Sequence, residues 1–341
     1  MQADAQPLPF NAGNPATVGV WRVRHGTTTA IEKIIQPPPT AFTGSPQWQT
    51  STDPLHWNYW KRELLAYRTG LCREVFADAG LCAPAVLDAR KLPEGRWRLV
   101  LADCPGRTAA AWTVADSGDF ANRLGRAQAR FVHQVPRISW LSHNWLGQYL
   151  ADRDVDPDPD WTGAFAQTWP PHLRAGLQRL WERRRELLAV AAALPRTLCH
   201  LDVWPMNLFT TGDQYSIIDW AFIGEGAVGE DVSNLIVDSM TDGLYPPSIL
   251  PELVSASTEG YLAGLRASGC RLDVATVRRG IAATGAAKYT WLAPAMLRAA
   301  QRAEPVGAVH YGLARPATEA FDHRRELFEL LVSWARLAED G

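Results

Sequence analysis

The sequence predicts an α+β chain of two unequal lobes, a small β-rich front and a larger, mainly helical back. Three observations carry that expectation. Residues 1–103 hold runs of β-branched and aromatic residues cut by Gly and Pro turns. Residues 104–341 hold apolar residues at helical spacing, interrupted by Pro and Gly. A single short β-turn-β unit, within 198–222, breaks into that helical half. A chain of 341 residues suits two compact lobes and is short for three domains.

In chain order, residues 18–24 and 29–35 are rich in β-branched residues and flank His25-Gly26-Thr27-Thr28, which reads as a hairpin. A turn-rich loop with Gly13 and Asn14 precedes them. Lys33 is the only Lys in residues 1–60 and lies among apolar strand neighbours. Pro37-Pro38-Pro39 ends the hairpin and opens a Gly, Pro, Ser and Thr loop reaching Pro54. The spacing of Trp60, Leu64, Tyr67, Leu71 and Val75 predicts a helix over 57–79 with one buried stripe. Strands at 85–89 and 96–102 flank the turn Leu92-Pro93-Glu94-Gly95. The breaker cluster Asp103-Cys104-Pro105-Gly106 then sets a lobe boundary near residue 104, giving lobes 1–103 and 104–341. Helical spacing follows at 120–135, 145–151, 173–193, 232–240, 250–267, 274–302 and 318–338. No self-similarity of solenoid length is present.

The chemistry concentrates in Cys199-His200-Leu201-Asp202-Val203-Trp204-Pro205-Met206-Asn207-Leu208-Phe209 and in Ile217-Ile218-Asp219-Trp220. A strand at 208–210, a turn at Thr211-Gly212-Asp213 and a strand at 214–218 bring Asp202, Asn207 and Asp219 to one end of a hairpin. Phosphoryl transfer needs this set: a carboxylate that accepts the proton of an attacking hydroxyl, and an Asn and a second carboxylate that hold Mg2+ ions. Asp202, Asn207 and Asp219 fill those roles in that order.

The HxDxxxxN spacing followed by Ile-Asp-Trp resembles the signature of the aminoglycoside phosphotransferase and choline kinase type of small-molecule kinase, a branch of the protein-kinase-like fold. Ala221 stands where protein kinases carry Gly, and no Asp-Phe-Gly or Ala-Pro-Glu segment marks an activation loop. Gly229 to Leu235 is similar to the family's helix start, whose Asp bonds back to the catalytic loop; Asp231 is the candidate. The resemblance implies that Lys33 contacts the α- and β-phosphates and that a carboxylate, Glu63 or its competitor Glu74, holds that amine in place. It further implies that the loop of Gly13 and Asn14 covers the phosphates, although GxGxxG is absent. The chain from Leu101 to Asp103 would read the purine edge through its backbone, which leaves ATP and GTP both open. His200 is implied to be structural, packing under the loop. Leu201 and Trp204 depart from the Gly and His frequent in the family. Trp204 either walls the acceptor or fills the core, and Tyr289 and Trp291, in Lys288-Tyr289-Thr290-Trp291, are further acceptor candidates.

Net charge is −2, which offers no basic surface for nucleic acid. Five scattered cysteines without CxxC spacing argue against a disulfide framework or a zinc site and suit a cytoplasmic protein. Neither a signal peptide nor a membrane span is expected. The alternating aspartates from Asp152 to Asp160, with Pro157 and Pro159, form an acidic extended loop that lacks the Gly and Glu of an EF-hand. Of the 15 Trp residues, Trp57, Trp60, Trp97 and Trp181 read as core, while Trp161, Trp204, Trp220 and Trp291 are placed toward the cleft. The expected activity is transfer of a γ-phosphate from ATP or GTP, with Mg2+, to a hydroxyl of an antibiotic or other sugar-bearing natural product. Alternatives are a metabolic kinase of a choline, homoserine or amino-sugar type substrate, and an inactive kinase-like nucleotide-binding module. The protein would be a monomer or homodimer.

Overall fold

The computed structural model describes residues 5–153 and 158–339. The front half opens with β1 (Gln6–Pro7), β2 (Thr17–His25) and β3 (Thr28–Ile35). β2 and β3 form the expected hairpin, and Gly26, with φ +61°, supplies the left-handed residue that its tight turn requires. α1 (Arg62–Arg68), α2 (Leu71–Glu74) and β4 (Leu81–Cys82) follow, then β5 (Val86–Lys91) and β6 (Trp97–Ala102). The antiparallel front sheet runs in the order β1-β2-β3-β6-β5, so β3 is its central strand and Lys33 pairs between Val20 and Leu99.

The single helix expected over 57–79 is shorter and broken. α1 starts at Arg62, and Gly70, with φ +79°, stops it before α2. Of the expected stripe, Leu64, Tyr67 and Val75 are buried, whereas Trp60 and Leu71 are half-buried and Cys72 takes the buried place beside Leu71.

The break after Asp103 leads to β7 (Arg107–Thr108) and α3 (Val114–Ala129). α3 begins six residues earlier than its apolar spacing suggested, because Thr113 and Asp116 close a capping box at its start. α4 (Trp145–Ala151), α5 (Ala164–Gln167), α6 (Pro171–Glu182) and α7 (Arg184–Ala193) come next. The helix expected over 173–193 is therefore two helices, separated at Arg183. β8 (Arg196–Cys199) leads into the hairpin β9 (Leu208–Thr211) and β10 (Gln214–Ile217), then β11 (Gly224–Ala227) pairs back on β8. β4, β10, β9 and β7 make a second sheet in that order, with β4 parallel to β10.

α8 (Glu230–Thr241), α9 (Leu250–Ala267), α10 (Val274–Lys288), α11 (Leu292–Arg302) and α12 (Ala317–Glu339) complete the chain. The helix expected over 274–302 breaks at 289–291, which turns Tyr289 and Trp291 out of line with α10. α3 and α9 touch backbone to backbone: a Cβ on Gly264 would sit 1.9 Å from the Asn122 carbonyl oxygen, and one on Gly260 would sit 2.2 Å from that of Gly118. Only glycine permits so close a crossing. The seam fixes α3, whose Gln128 donates to Asp231 at the start of α8.

Of the tryptophans expected in the core, Trp57 and Trp181 are buried, whereas Trp60 and Trp97 are half-buried. Trp161 and Trp220, expected at the cleft, are buried. Asp154, Val155, Asp156 and Pro157 of the acidic loop lie outside the described residues. All five cysteines are free. No helix among the described residues is long and apolar enough to cross a membrane.

Candidate active site

A strand of the front sheet, a short helix and the β9–β10 hairpin together build the charged centre. β3 carries Lys33 and the first turn of α1 carries Glu63; Lys33 Nζ lies 2.6 Å from Glu63 Oε2 and 3.6 Å from Asp219 Oδ1. Glu74, the competing carboxylate, is exposed on α2. Burial costs the Lys33 ammonium, but Asp219 and Glu63 outweigh it and raise its pKa. The amine therefore stays charged and is drawn toward the hairpin.

Asp219 ends that hairpin with φ +58°, an uncommon conformation for a residue with a side chain. Its side chain is 36% exposed, so the carboxylate is open to solvent. The Ile218 amide donates to the Asn207 carbonyl oxygen at 3.0 Å, tying the two proposed cation holders together. Asn207 Nδ2 donates to Asp202 Oδ2 at 2.8 Å and to the Asp202 carbonyl oxygen at 3.2 Å. With Nδ2 so occupied, Oδ1 is the Asn207 atom left for a cation. Two oxygen donors suit a hard ion such as Mg2+, which completes its shell with phosphate and water. Among the described residues no cluster of three His, Cys, Asp or Glu could hold a metal without such help.

Burial pushes the Asp202 carboxyl up to about 7, with Asp219 and Asp238 pushing the same way and Lys288 opposing. A carboxylate so placed is ready to accept a proton near neutral pH. The loop beneath it is held by Asp231, at the start of α8. Its carboxylate accepts from the His200 and Leu201 amides, each at 2.8 Å, and from Gln128 Nε2 at 2.7 Å. These bonds clamp Leu201, whose φ of +68° bends the loop sharply.

His200 is fully buried, with its ring edge-on to Trp220 at 4.8 Å. Its Nδ1 accepts from the Asp202 amide at 3.3 Å, so Nε2 holds the proton and donates to the Ile218 carbonyl oxygen at 3.1 Å. Burial pulls its pKa down to about 4, which keeps the ring neutral.

Other sequence candidates fall in varied places. Leu101 is a buried strand residue, and the Asp103 carboxylate is engaged by Arg22 Nε and Thr29 Oγ1, both at 2.7 Å. Gly13 and Asn14 turn toward the segment following β3: Asn14 Nδ2 donates to Asn58 Oδ1 at 3.4 Å, and a Cβ on Gly13 would lie 3.4 Å from Trp48. Trp204 donates through Nε1 to Asp242 at 3.0 Å and meets Tyr311 edge-on at 4.8 Å. The Tyr289 hydroxyl donates to Asp238 Oδ1 at 2.7 Å, and Trp291 lies against Arg153.

The sequence reading missed Gln128, Asp238, Asp242, Arg153 and Tyr311. For Asp238 and Asp242 a signal existed: Asp231, Asn234, Asp238 and Asp242 recur at three- and four-residue steps, one face of a helix that begins beside the motif. Arg62 was also passed over. Buried, it donates to the carbonyls of Pro54, His56, Trp57, Trp140 and Ala221, which joins the front segment to the end of the hairpin.

The model of the phosphotransferase enzyme family matches residues 70–268, more than half of the chain. The chain belongs to that family. A search of curated proteins finds no match by sequence. Among solved structures, this phosphotransferase is similar to an amicoumacin kinase in complex with AMP-PNP, Ca2+ and Ami, at 14% identity and TM-score 0.57, covering 95% of this chain and 88% of the other. It is also similar to a microcompartment-associated aminopropanol kinase, at 15% identity and TM-score 0.55, covering 98% and 94%. A thermostable mutant of aminoglycoside phosphotransferase APH(4)-Ia, in ternary complex with AMP-PNP and hygromycin B, matches at 13% identity and TM-score 0.50, covering 98% and 94%. The phosphotransferase is thus a small-molecule kinase with a hydroxyl acceptor, in a protein-kinase-like fold.

Proposed function

We propose that the enzyme transfers the γ-phosphate of Mg2+-bound ATP or GTP to a hydroxyl of an antibiotic or other sugar-bearing natural product, inactivating it by adding charge and bulk. The observation that carries this reading is the meeting of Lys33, Glu63 and Asp219 within ion-pair distance, beside an Asp202 that Asn207 orients. Lys33 aligns the phosphates, Glu63 holds Lys33, and Asp202 takes the proton of the acceptor hydroxyl. Asn207 Oδ1 and Asp219 would hold Mg2+, which supplies charge neutralisation on the transferring group. His200 and Asp231 shape the loop without touching substrate. The acceptor side is walled by Trp204 and Tyr311, aromatic faces of the kind that pack on sugar rings.

A metabolic kinase of a choline, homoserine or amino-sugar type substrate is the second reading. The closely packed charges of Lys288 and Asp238, 3.7 Å apart behind Asp202, favour a compact polar acceptor. Incubation of the purified protein with ATP or GTP, Mg2+ and a library of antibiotics and metabolites, read by mass for one added phosphoryl group, tests both. Phosphorylated antibiotics support the first reading and phosphorylated small metabolites the second. Phosphorylation of neither class, with intact folded protein, counts against the proposal.

A further inference from the structure

Glu63, the carboxylate that holds Lys33, stands on a helix with little of its own to fix it. α1 has seven residues, its N-cap Lys61 makes no side-chain capping bond, and the left-handed Gly70 stops it before α2. A helix so short is marginal by itself, so its place is set by what it packs against. The residue before Glu63 is Arg62, which is fully buried.

All five guanidinium N–H groups of Arg62 are taken by main-chain carbonyl oxygens. Nε donates to Trp140 at 2.9 Å, Nη1 to Trp57 at 2.8 Å and Ala221 at 3.2 Å, and Nη2 to Pro54 at 3.0 Å and His56 at 2.8 Å. Three of these acceptors lie just before α1, and two lie far along the chain. Ala221 comes two residues after Asp219. The segment of Trp140 is stitched to the same stretch, since the Ser142 amide donates to the Ile223 carbonyl oxygen at 3.0 Å and the Glu225 amide to that of Ser142 at 2.8 Å. One side chain thus joins the start of α1 to the chain that leaves the catalytic hairpin.

Burial pulls the Arg62 pKa down to about 10, so the guanidinium stays charged at neutral pH, with no N–H left for a carboxylate. A buried charge held by carbonyls alone is a costly way to fill space, and a well-packed apolar side chain would fill it at a smaller free-energy cost. What the arginine adds is geometry, because five donors in one rigid plane fix distance and direction together. The neighbouring groups need that precision. Lys33 Nζ lies 2.6 Å from Glu63 Oε2 and 3.6 Å from Asp219 Oδ1, and a misplacement of about 1 Å in such a set can cost ~10²-fold in rate.

We propose that Arg62 is a positioning residue of the transfer reaction: it holds α1 against the end of the catalytic hairpin, so that Lys33, Glu63 and Asp219 are assembled before nucleotide binds. Being fully buried, it acts through Glu63 and not on a ligand. The inference rests on the kinase reading above and adds that α1 needs no ordering step during turnover.

The test uses the full chain with ATP, Mg2+ and an acceptor returned by the mass screen, and compares wild type, Arg62→Lys, Glu63→Gln and the double variant at a temperature where urea unfolding shows all four folded. Lysine keeps the charge but has three donors for the five carbonyls. Arg62→Lys is expected to lower kcat by about tenfold or more while the acceptor KM moves less than about threefold. Made in Glu63→Gln, the same substitution should cost less than about threefold, because the pair it positions is already lost. A residue that only stabilises the fold would cost the same in both backgrounds. That additivity, a kcat for Arg62→Lys within about threefold of wild type, or a loss confined to KM overturns the inference. A wild-type kcat in Glu63→Gln would instead remove Glu63 from the kinase reading, and absence of transfer by wild type would remove that reading altogether; either takes this inference with it. If Arg62→Lys does not fold, wild type decides: hydrogen exchange of the α1 amides, read by mass with and without AMP-PNP and Mg2+, should agree within about threefold. Protection of α1 that arises only with the nucleotide overturns the inference.

Discussion

The two ends of the cleft are built differently. At the phosphate end, charges are matched: Lys33 has Glu63 and Asp219, Asp231 has two amides and Gln128, and Asn207 has Asp202. At the end proposed for the acceptor, no carboxylate among the described residues pairs with Arg153, and Trp291 and Asn234 keep buried donors without acceptors. A matched centre can be complete before substrate arrives, so it serves a co-substrate that is always the same. The unmatched end carries the cost of its unsatisfied donors, about 1–3 kcal/mol each, and is the less constrained of the two.

The largest expected effect probes the matched end. Asp219→Asn keeps the shape but removes a cation-holding charge, and should lower kcat/KM for transfer by ~10³-fold, equivalent to ~4 kcal/mol. Steady-state kinetics across a Mg2+ titration checks it; a loss below tenfold would place the cation elsewhere. On the acceptor side, Lys288→Met leaves Asp238 buried without its cation and should cost about 3 kcal/mol of stability in urea unfolding. A neutral result would mean that Tyr289 alone satisfies Asp238.

Legibility in the sequence follows the same division. Asp202, Asn207 and Asp219 sit within eighteen residues of one another on a hairpin whose turn the sequence marks at Gly212, with φ +58°. Their grouping is local and could be read directly. Glu63 required choosing between two carboxylates on a stretch read as one helix. The left-handed Gly70 settles the choice, because it breaks the helix and leaves Glu74 facing solvent. Arg153 and Trp291 come from segments far apart in sequence, and only the break between α10 and α11 turns Trp291 onto the arginine. No periodicity encodes that meeting. The α3–α9 contact escaped for the same reason: its glycines look like ordinary helix interruptions until the two helices are seen to cross on them.

Leu201 gives a smaller test of how the loop is held. The resembled family often carries Gly there, and φ +68° shows why, since a left-handed conformation costs a side-chain-bearing residue ~1–2 kcal/mol. Yet Leu201 is fully buried and packs so closely on Gly226 that a Cβ there would lie 2.9 Å from its Cδ2. Removing the isobutyl group forfeits about 2–4 kcal/mol of burial and packing. Leu201→Gly should therefore destabilise the protein by about 1–2 kcal/mol net despite relieving strain. A stabilised variant in thermal unfolding would show that strain dominates.

His200 gives the smallest effect. Its pKa falls from 6.5 to about 4 on folding, so the unfolded chain binds its proton first as pH drops and stability is lost between those values. From pH 7 to 5.5 this group alone should remove about 1 kcal/mol. The buried carboxylates, raised on folding, act in the opposite sense and are common to wild type and His200→Asn. The difference between their urea-unfolding curves isolates the imidazole: His200→Asn should lose less stability over that interval, and parallel curves would mean that the ring is not desolvated.

The most direct test of the central claim is single-turnover transfer from a γ-labelled nucleotide to a phosphorylated acceptor, comparing wild type with Asp202→Asn. The substitution keeps the size of the side chain and removes the proton acceptor that Asn207 orients. The transfer rate should fall by about 10²–10⁴-fold while nucleotide binding is retained. A rate within a few-fold of wild type would contradict the assignment of this hairpin as the phosphoryl-transfer centre.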